Sequence, residues 1–468
     1  MAGADTTVER LRQYLRELSP QARLLLVGEL ERSVLRGDDV AGADLVLQEL
    51  RRIVREQREG APRIGHSARL LFKPLEPFLV DDRGDHKHSG RIARPSIEPL
   101  WTWIGRDLLP DEAKAFSDQV GEALLTGDEA KAALIARSFQ DRVAVAIESV
   151  LGAAENEKLH RRVLAQIGTP RAWEDVTALK NVLKGRDALA ALGAKLPLRI
   201  GNLANNQLNR CRALIEGTSG RTSDLFIYSL LTVMSRLAAP WQLIRFGISA
   251  AGSDTAARVA ETQYGVAVTL VLAELERLVG ELRNDLHNGQ GVAVSALLKT
   301  IHDSARGLRT ELDLPVDSTW GRALATQRAQ IADLLRSEIE SMPGRVRRLL
   351  RARPSGEIRP HSVLEVDEVA ETEALVEFVG ACRYFAGELA LNEMTQRAFS
   401  ELQQCLDSGT RTLLEGLRHA GEADRRFRQS QVNAAVRLCA KVFGKDYAAL
   451  LGKAAEVAAT AERKAKRG

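Results

Sequence analysis

The chain has few aromatic side chains, few histidines, no closely spaced cysteines and no long apolar run, and each shortage closes a class of function. Aromatics make up 4% of its 468 residues, which removes the stacking platforms that single-stranded nucleic-acid binders and sugar clefts depend on. The four cysteines, Cys211, Cys382, Cys405 and Cys439, lie far apart with no C-x-x-C pair. That spacing excludes a short disulfide framework and fits a reducing compartment. Basic and acidic residues number 66 and 62, a formal charge of +4, and so near a balance disfavours a dedicated nucleic-acid binder. The most apolar stretch, Leu225 to Ala251, is interrupted by Arg236, Pro240 and Arg245. Its apolar run falls short of the roughly 20 residues a membrane-spanning helix needs, so a buried helix pair is expected there. The first ten residues lack a basic region followed by an apolar one, and the chain is read as cytoplasmic.

What is present is helix. Apolar residues are 45% of the chain and recur at spacings of three and four, whereas runs of alternating residues are missing. Thr6 with Glu9 forms a capping box ahead of Leu11, Leu15 and Leu18. Ser19-Pro20 opens a second helix with Leu26 and Leu30, and Leu47, Leu50 and Val54 mark a third. Residues 1–60 thus read as an N-terminal three-helix unit. From 61 to 95 the pattern breaks, with Pro62, Pro74, Pro77, Gly84 and Gly90 in and around the polar run Asp81-Asp82-Arg83-Gly84-Asp85-His86-Lys87-His88, and a polar linker or loop is expected. Residues 96–354 read as a large central helical body, broken at Gly127-Asp128, Gly168-Thr169-Pro170, Gly217–Gly220, Gly252-Ser253, Asn288-Gly289 and Leu314-Pro315. Within it, Thr255 to Leu286 reads as one central helix, and Ser318 to Ile339 as another that ends near Met342-Pro343-Gly344. Residues 361–468 read as a C-terminal helical bundle. The breaks keep no fixed interval, so no repeat array is assigned. The fold class expected is all-α, an irregular multi-helix protein.

Candidate chemistry is sparse. His66, Asp85, His86 and His88 are residue types a metal site uses, but a calcium loop read from Asp81 has His86 where glycine is needed and Ile92 where glutamate is needed. Glu157 and His160 have the E-x-x-H spacing of a di-iron helix without the second such pair, and read as an ordinary surface pair. His302-Asp303 is an HD dipeptide for which His287 and Asp313 could complete a metal set. Gly289-Gln290-Gly291, Gly247-Ile248-Ser249-Ala250-Ala251 and Gly452-Lys453-Ala454 each miss a residue that dinucleotide, serine-nucleophile or phosphate-loop chemistry requires.

One charge feature stands out. Arg345, Arg347, Arg348, Arg351 and Arg353 alternate with Val346, Leu349 and Leu350, a basic amphipathic pattern suited to anionic lipid, phosphate or an acidic partner. The acidic run Glu365, Asp367, Glu368, Glu371, Glu373 and Glu377 follows closely, and the simplest expectation is that it answers the arginines within the molecule. With no catalytic constellation and no cofactor implied, the leading expectation is a non-enzymatic helical interaction or scaffold protein with a protein partner. A peripheral membrane protein using the basic segment, and a metal-dependent enzyme in a helical core, are the alternatives.

Overall fold

The computed structural model describes residues 66–81, 87–154, 156–219, 223–287, 291–358 and 362–465, together with isolated positions before residue 66. The chain is all-α. Eighteen α-helices and one pair of two-residue strands make up the regular structure of the described residues. It packs as two units, 1–271 and 272–468. Most of the expected N-terminal three-helix unit lies outside the described residues, although Leu15 and Leu50 are buried there and Leu18, Leu26, Val27, Leu30 and Val46 pack against them.

The first unit begins its described structure with α1 (His66–Phe72), a 3-10 turn (Lys73–Phe78) and β1 (Leu79–Val80), which pairs in parallel with β2 (Ile92–Ala93). There follow α2 (Ile97–Trp103), α3 (Pro110–Leu125), α4 (Glu129–Ala153), α5 (Glu157–Ile167), α6 (Pro170–Lys195), α7 (Asn205–Ser219), α8 (Phe226–Met234), α9 (Arg245–Ala251) and α10 (Ala256–Ala260). The described parts of the expected linker 61–95 are therefore structured. Leu71, Phe72, Leu75, Phe78 and Ile92 are all buried, and this apolar content outweighs the prolines and glycines that made the segment read as a connection.

The breaks between helices follow their end chemistry. Gly168 closes α5 with φ +82°, Thr169 accepts from the Ala172 N–H at 3.4 Å, and Pro170 takes the first turn of α6. Asp128 caps α4 through the Lys131 N–H at 2.9 Å. Leu225 to Ala251 forms α8, a 3-10 turn and α9, with Phe226, Leu230, Leu231, Leu243, Ile244 and Phe246 buried. No helix of the described residues is long and apolar enough to cross a membrane.

The described part of the second unit comprises α11 (Val266–His287), inside which the division between units falls, α12 (Gly291–Glu311), α13 (Thr319–Leu349), α14 (Val366–Tyr384), α15 (Ala386–Leu389), α16 (Asn392–Arg418), α17 (Glu422–Val442) and α18 (Lys445–Ala465). Two expectations are corrected. Thr255 to Leu286 is not one helix, because a 3-10 turn at Gln263–Gly265 separates α10 from α11. Gly265 sits so close to this turn that a Cβ would meet the Val259 carbonyl oxygen at 2.8 Å. Nor does the helix from Ser318 end before Pro343; it runs on to Leu349. An internal proline costs about 3 kcal/mol, and burial of Ile339, Met342, Val346 and Leu349 along one face offsets that cost, since each such side chain contributes about 1.5–3 kcal/mol.

A buried carboxylate fixes the first unit. Asp175 of α6 is 0% exposed, accepts from the Ala93 N–H at 3.0 Å and pairs with Lys87, whose ammonium also donates to the Arg91 carbonyl at 2.8 Å. Asp175→Asn should therefore lower the urea midpoint by the equivalent of about 2–4 kcal/mol, less than a fully buried pair because Lys87 is 27% exposed. An unchanged midpoint would show that the ion pair contributes nothing net.

Candidate basic groove

The arginine-rich segment occupies the last turns of α13 and the residues just after it. Its apolar positions face inward: Val346, Leu349 and Leu350 are 0%, 2% and 4% exposed. All five arginines, Arg345, Arg347, Arg348, Arg351 and Arg353, are exposed. Basic residues are favourable at this end of a helix, where the carbonyl dipoles sum to partial negative charge, but that effect accounts for the charge of the last turn, Arg347 and Arg348, and not for a cluster of five.

The acidic run does not answer them. Glu373 pairs with Arg437 and Glu377 with Lys441, both on α17. Glu365, Asp367, Glu368 and Glu371 are exposed on or beside the first turns of α14. Among the described residues no carboxylate lies within ion-pair distance of any of the five arginines. Arg353 is nonetheless engaged, with its guanidinium 5.1 Å from the centre of the Phe427 ring, which separates it from the other four.

Arg347 and Arg351 line a groove of about 500 Å³ whose opposite wall is α16. That wall presents Glu401, Gln404, Cys405, Ser408 and Thr412, spaced by three and four so that they share one helix face. The hydroxyls of Ser408 and Thr412 donate to the carbonyls of Gln404 and Ser408, at 2.8 and 3.2 Å, and their oxygens are left to accept. Cys405 is half-buried in this wall. Burial pushes its thiol pKa up, and the neighbouring Arg347 guanidinium only partly opposes the rise. The polar face of α16 is visible in the sequence, but that it stands opposite Arg347 is a matter of packing, which periodicity does not encode.

The candidate metal residues are not brought together. His66 opens α1, Asp85 and His86 lie outside the described residues, and His88 is partly buried near Lys87. His287 is exposed at the end of α11, with its Nδ1 2.8 Å from the Arg283 carbonyl. His302 lies against Phe385 at 4.8 Å between ring centres, and its Nδ1 is 3.0 Å from the Asp303 carboxylate. Among the described residues no three histidine, cysteine or acidic side chains converge as a metal site would require. Glu157 pairs with Arg161, while His160 packs on Trp173 at 4.9 Å, so this histidine belongs to a helix contact and not to an open surface.

The thiols provide a direct check of the groove. Cys211, Cys382 and Cys439 are buried, and burial pushes Cys382 and Cys439 up to about 12. Cys405, half-buried where the other three thiols are buried, is expected to be the one thiol that reacts ahead of the rest when the native protein is treated with a disulfide reagent at pH 8, and Cys405→Ser should remove that phase. Two or more fast thiols in the folded chain would contradict this packing.

No family model, curated protein or solved structure matches this chain, so its own geometry is what bears on its function.

Proposed function

We propose that the protein is a non-enzymatic interaction protein that receives an acidic segment of a protein partner on the basic groove of its second unit. The observation that carries this reading is the exposure of Arg345, Arg347, Arg348 and Arg351 without carboxylate partners among the described residues, beside a groove with hydrogen-bonding side chains on its far wall. Local charge excess of this kind steers association and fixes the register of a complementary partner. Arginine suits the task because its planar fork grips a carboxylate with two parallel hydrogen bonds.

The same geometry disfavours the membrane as the partner. A helix that lies in a lipid interface must present apolar side chains to the acyl region, and here Val346, Leu349 and Leu350 are committed to the core. What remains outside is charge alone. The exposed Glu365, Asp367, Glu368 and Glu371 are an acidic segment of the proposed kind, which a second copy of this chain would carry.

The test is affinity purification from the native cells with the wild-type chain and with Arg347→Glu/Arg351→Glu, at low and high salt. A near-stoichiometric protein recovered by the wild type and reduced at least about tenfold by the charge reversal is expected, and the reconstituted complex should protect Cys405 from alkylation. Salt-dependent dimerisation lost in the variant would identify that partner as a second copy. Equal recovery by both chains would sink the proposal, and so would the absence of any partner combined with salt-sensitive binding to phosphatidylserine vesicles.

A further inference from the structure

The first unit contains a larger cleft, of about 820 Å³, for which neither the sequence motifs nor the basic groove accounts. Its existence follows from residue size. Where α4 and α6 pack together, α4 presents Ala133 and Ala136, and α6 presents Ala190, Gly193 and Ala194. Each set is spaced by three or four and so lies along one helix face. Side chains this small leave the space between the helices unfilled, and the 3-10 turn Lys73–Phe78 and the end of α8 wall it at the sides.

The walls are held in place. Gln140 of α4 donates to the Leu70 and Leu71 carbonyls at 3.0 and 3.1 Å. Arg186 of α6 grips Asp141 of α4 through two hydrogen bonds of 2.5 and 3.1 Å, and Arg137 of α4 reaches back to Asp187 of α6 at 2.6 Å. Beside the α8 wall, the Ile200 N–H donates to the Arg236 carbonyl at 2.7 Å. The cleft is thus preformed, and its volume lies within the roughly 300–1,000 Å³ typical of small-ligand sites.

Its charges identify a ligand class. Of the cations on the cleft, Arg137 and Arg186 are neutralised by Asp187 and Asp141. Lys73 and Arg236 have no carboxylate partner among the described residues. The Ser235 hydroxyl, next to Arg236, donates to the Thr232 carbonyl at 2.8 Å and keeps its oxygen free to accept. Among the described residues Phe78 is the sole aromatic side chain on the cleft, and they supply no pair of rings to sandwich a nucleobase or a flat cofactor. Aliphatic walls whose lining includes two cations without a carboxylate partner among the described residues suit a ligand with an apolar chain and an anionic end.

We propose that this cleft binds an aliphatic carboxylate of the fatty-acid type, its chain lying along the Ala133, Ala136, Ala190 and Gly193 walls and its carboxylate meeting Lys73 and Arg236. The site is independent of the basic groove, and loss of one leaves the other intact.

Fluorescence titration of the full chain with 11-(dansylamino)undecanoic acid tests it, followed by displacement with dodecanoate or dodecyltrimethylammonium below their micellar concentrations. Dodecanoate is expected to compete at least about tenfold better than the cation of equal chain length. Lys73→Glu/Arg236→Glu should weaken the probe by a similar factor. Gly193→Phe should abolish binding while leaving the far-ultraviolet circular dichroism unchanged, because a Cβ at Gly193 meets only Thr232 Cγ2 at 4.0 Å and the ring can enter the cleft. If Gly193→Phe fails to fold, Ala133→Phe at an exposed position of α4 makes the same obstruction. No probe binding, equal competition by the two amphiphiles, or undiminished binding in the obstructed variant would each overturn the assignment.

Discussion

The first unit depends on one buried carboxylate. The parallel pair β1 and β2 is two residues long on each strand, and a ladder that short is marginal in water by itself. Asp175 supplies what the ladder lacks: an acceptor for the Ala93 N–H and a counter-charge for Lys87, whose ammonium in turn ties back to the Arg91 carbonyl. The carboxylate could not be buried without these partners, and it adds to the anchoring that the buried Val80, Ile92 and Ala93 give the strand pair. The consequence reaches the cleft because the 3-10 turn carrying Lys73 runs directly into β1 and packs on α6, the helix that carries Asp175. Fixing α6 at Asp175 also sets the placement of Arg186, Ala190 and Gly193 about three to five turns further along the same helix.

In the second unit the governing constraint is the aliphatic face of α13. Gln327, Ile331, Leu335, Ile339, Met342, Val346 and Leu349 are all buried, a stripe at intervals of three and four that carries the helix through Pro343. Because that stripe must point inward, the residues between its members must point outward, and near the C-terminal end those residues are arginines. The basic surface is thus a geometric consequence of core packing as much as of composition. It follows that the apolar half of the amphipathic pattern is already spent on the core and is not available to enter a lipid interface.

The sequence was most informative where local chemistry decides the structure. Gly168-Thr169-Pro170 and Gly127-Asp128 mark helix ends through a left-handed residue, a capping side chain and a first-turn proline, all of which act within a few residues. It misled where distant packing overrides local preference. Pro343 signals a stop, yet the buried neighbours on either side keep the helix going. The prolines and glycines of 61–95 signal a linker, yet Leu71, Leu75, Phe78 and Ile92 find a core. The acidic run after residue 364 lies close in sequence to the arginines, but α14 is packed so that Glu373 and Glu377 meet Arg437 and Lys441 some 64 residues later. The composition of the basic segment was legible; its unanswered charge was not, because ion pairing between helices is set by which faces meet. The facing Ala and Gly positions of α4 and α6 carry no signal in one sequence, since small residues are equally at home in a tight helix contact and beside an open cleft.

The near-balance of the whole chain, 66 basic residues against 62 acidic, conceals this distribution. Many of its arginines are matched one to one across helices, as Arg137 with Asp187, Arg309 with Glu388 and Arg397 with Glu340. Exposed pairs of that kind contribute little stability, about 0–1 kcal/mol each, but they cancel the field that each charge would project. Among the described residues Arg345, Arg347, Arg348 and Arg351 in one unit, and Lys73 and Arg236 in the other, are among the cations without such a partner, and their field is not cancelled at contact range. Screening reduces it over about 8 Å at physiological ionic strength, so it acts at contact range, on a segment or a carboxylate already at the surface. A net charge near zero is therefore compatible with local excesses of positive charge, and the two proposed sites differ in the apolar groups beside them: buried next to the arginines of α13, and open in the cleft between α4 and α6.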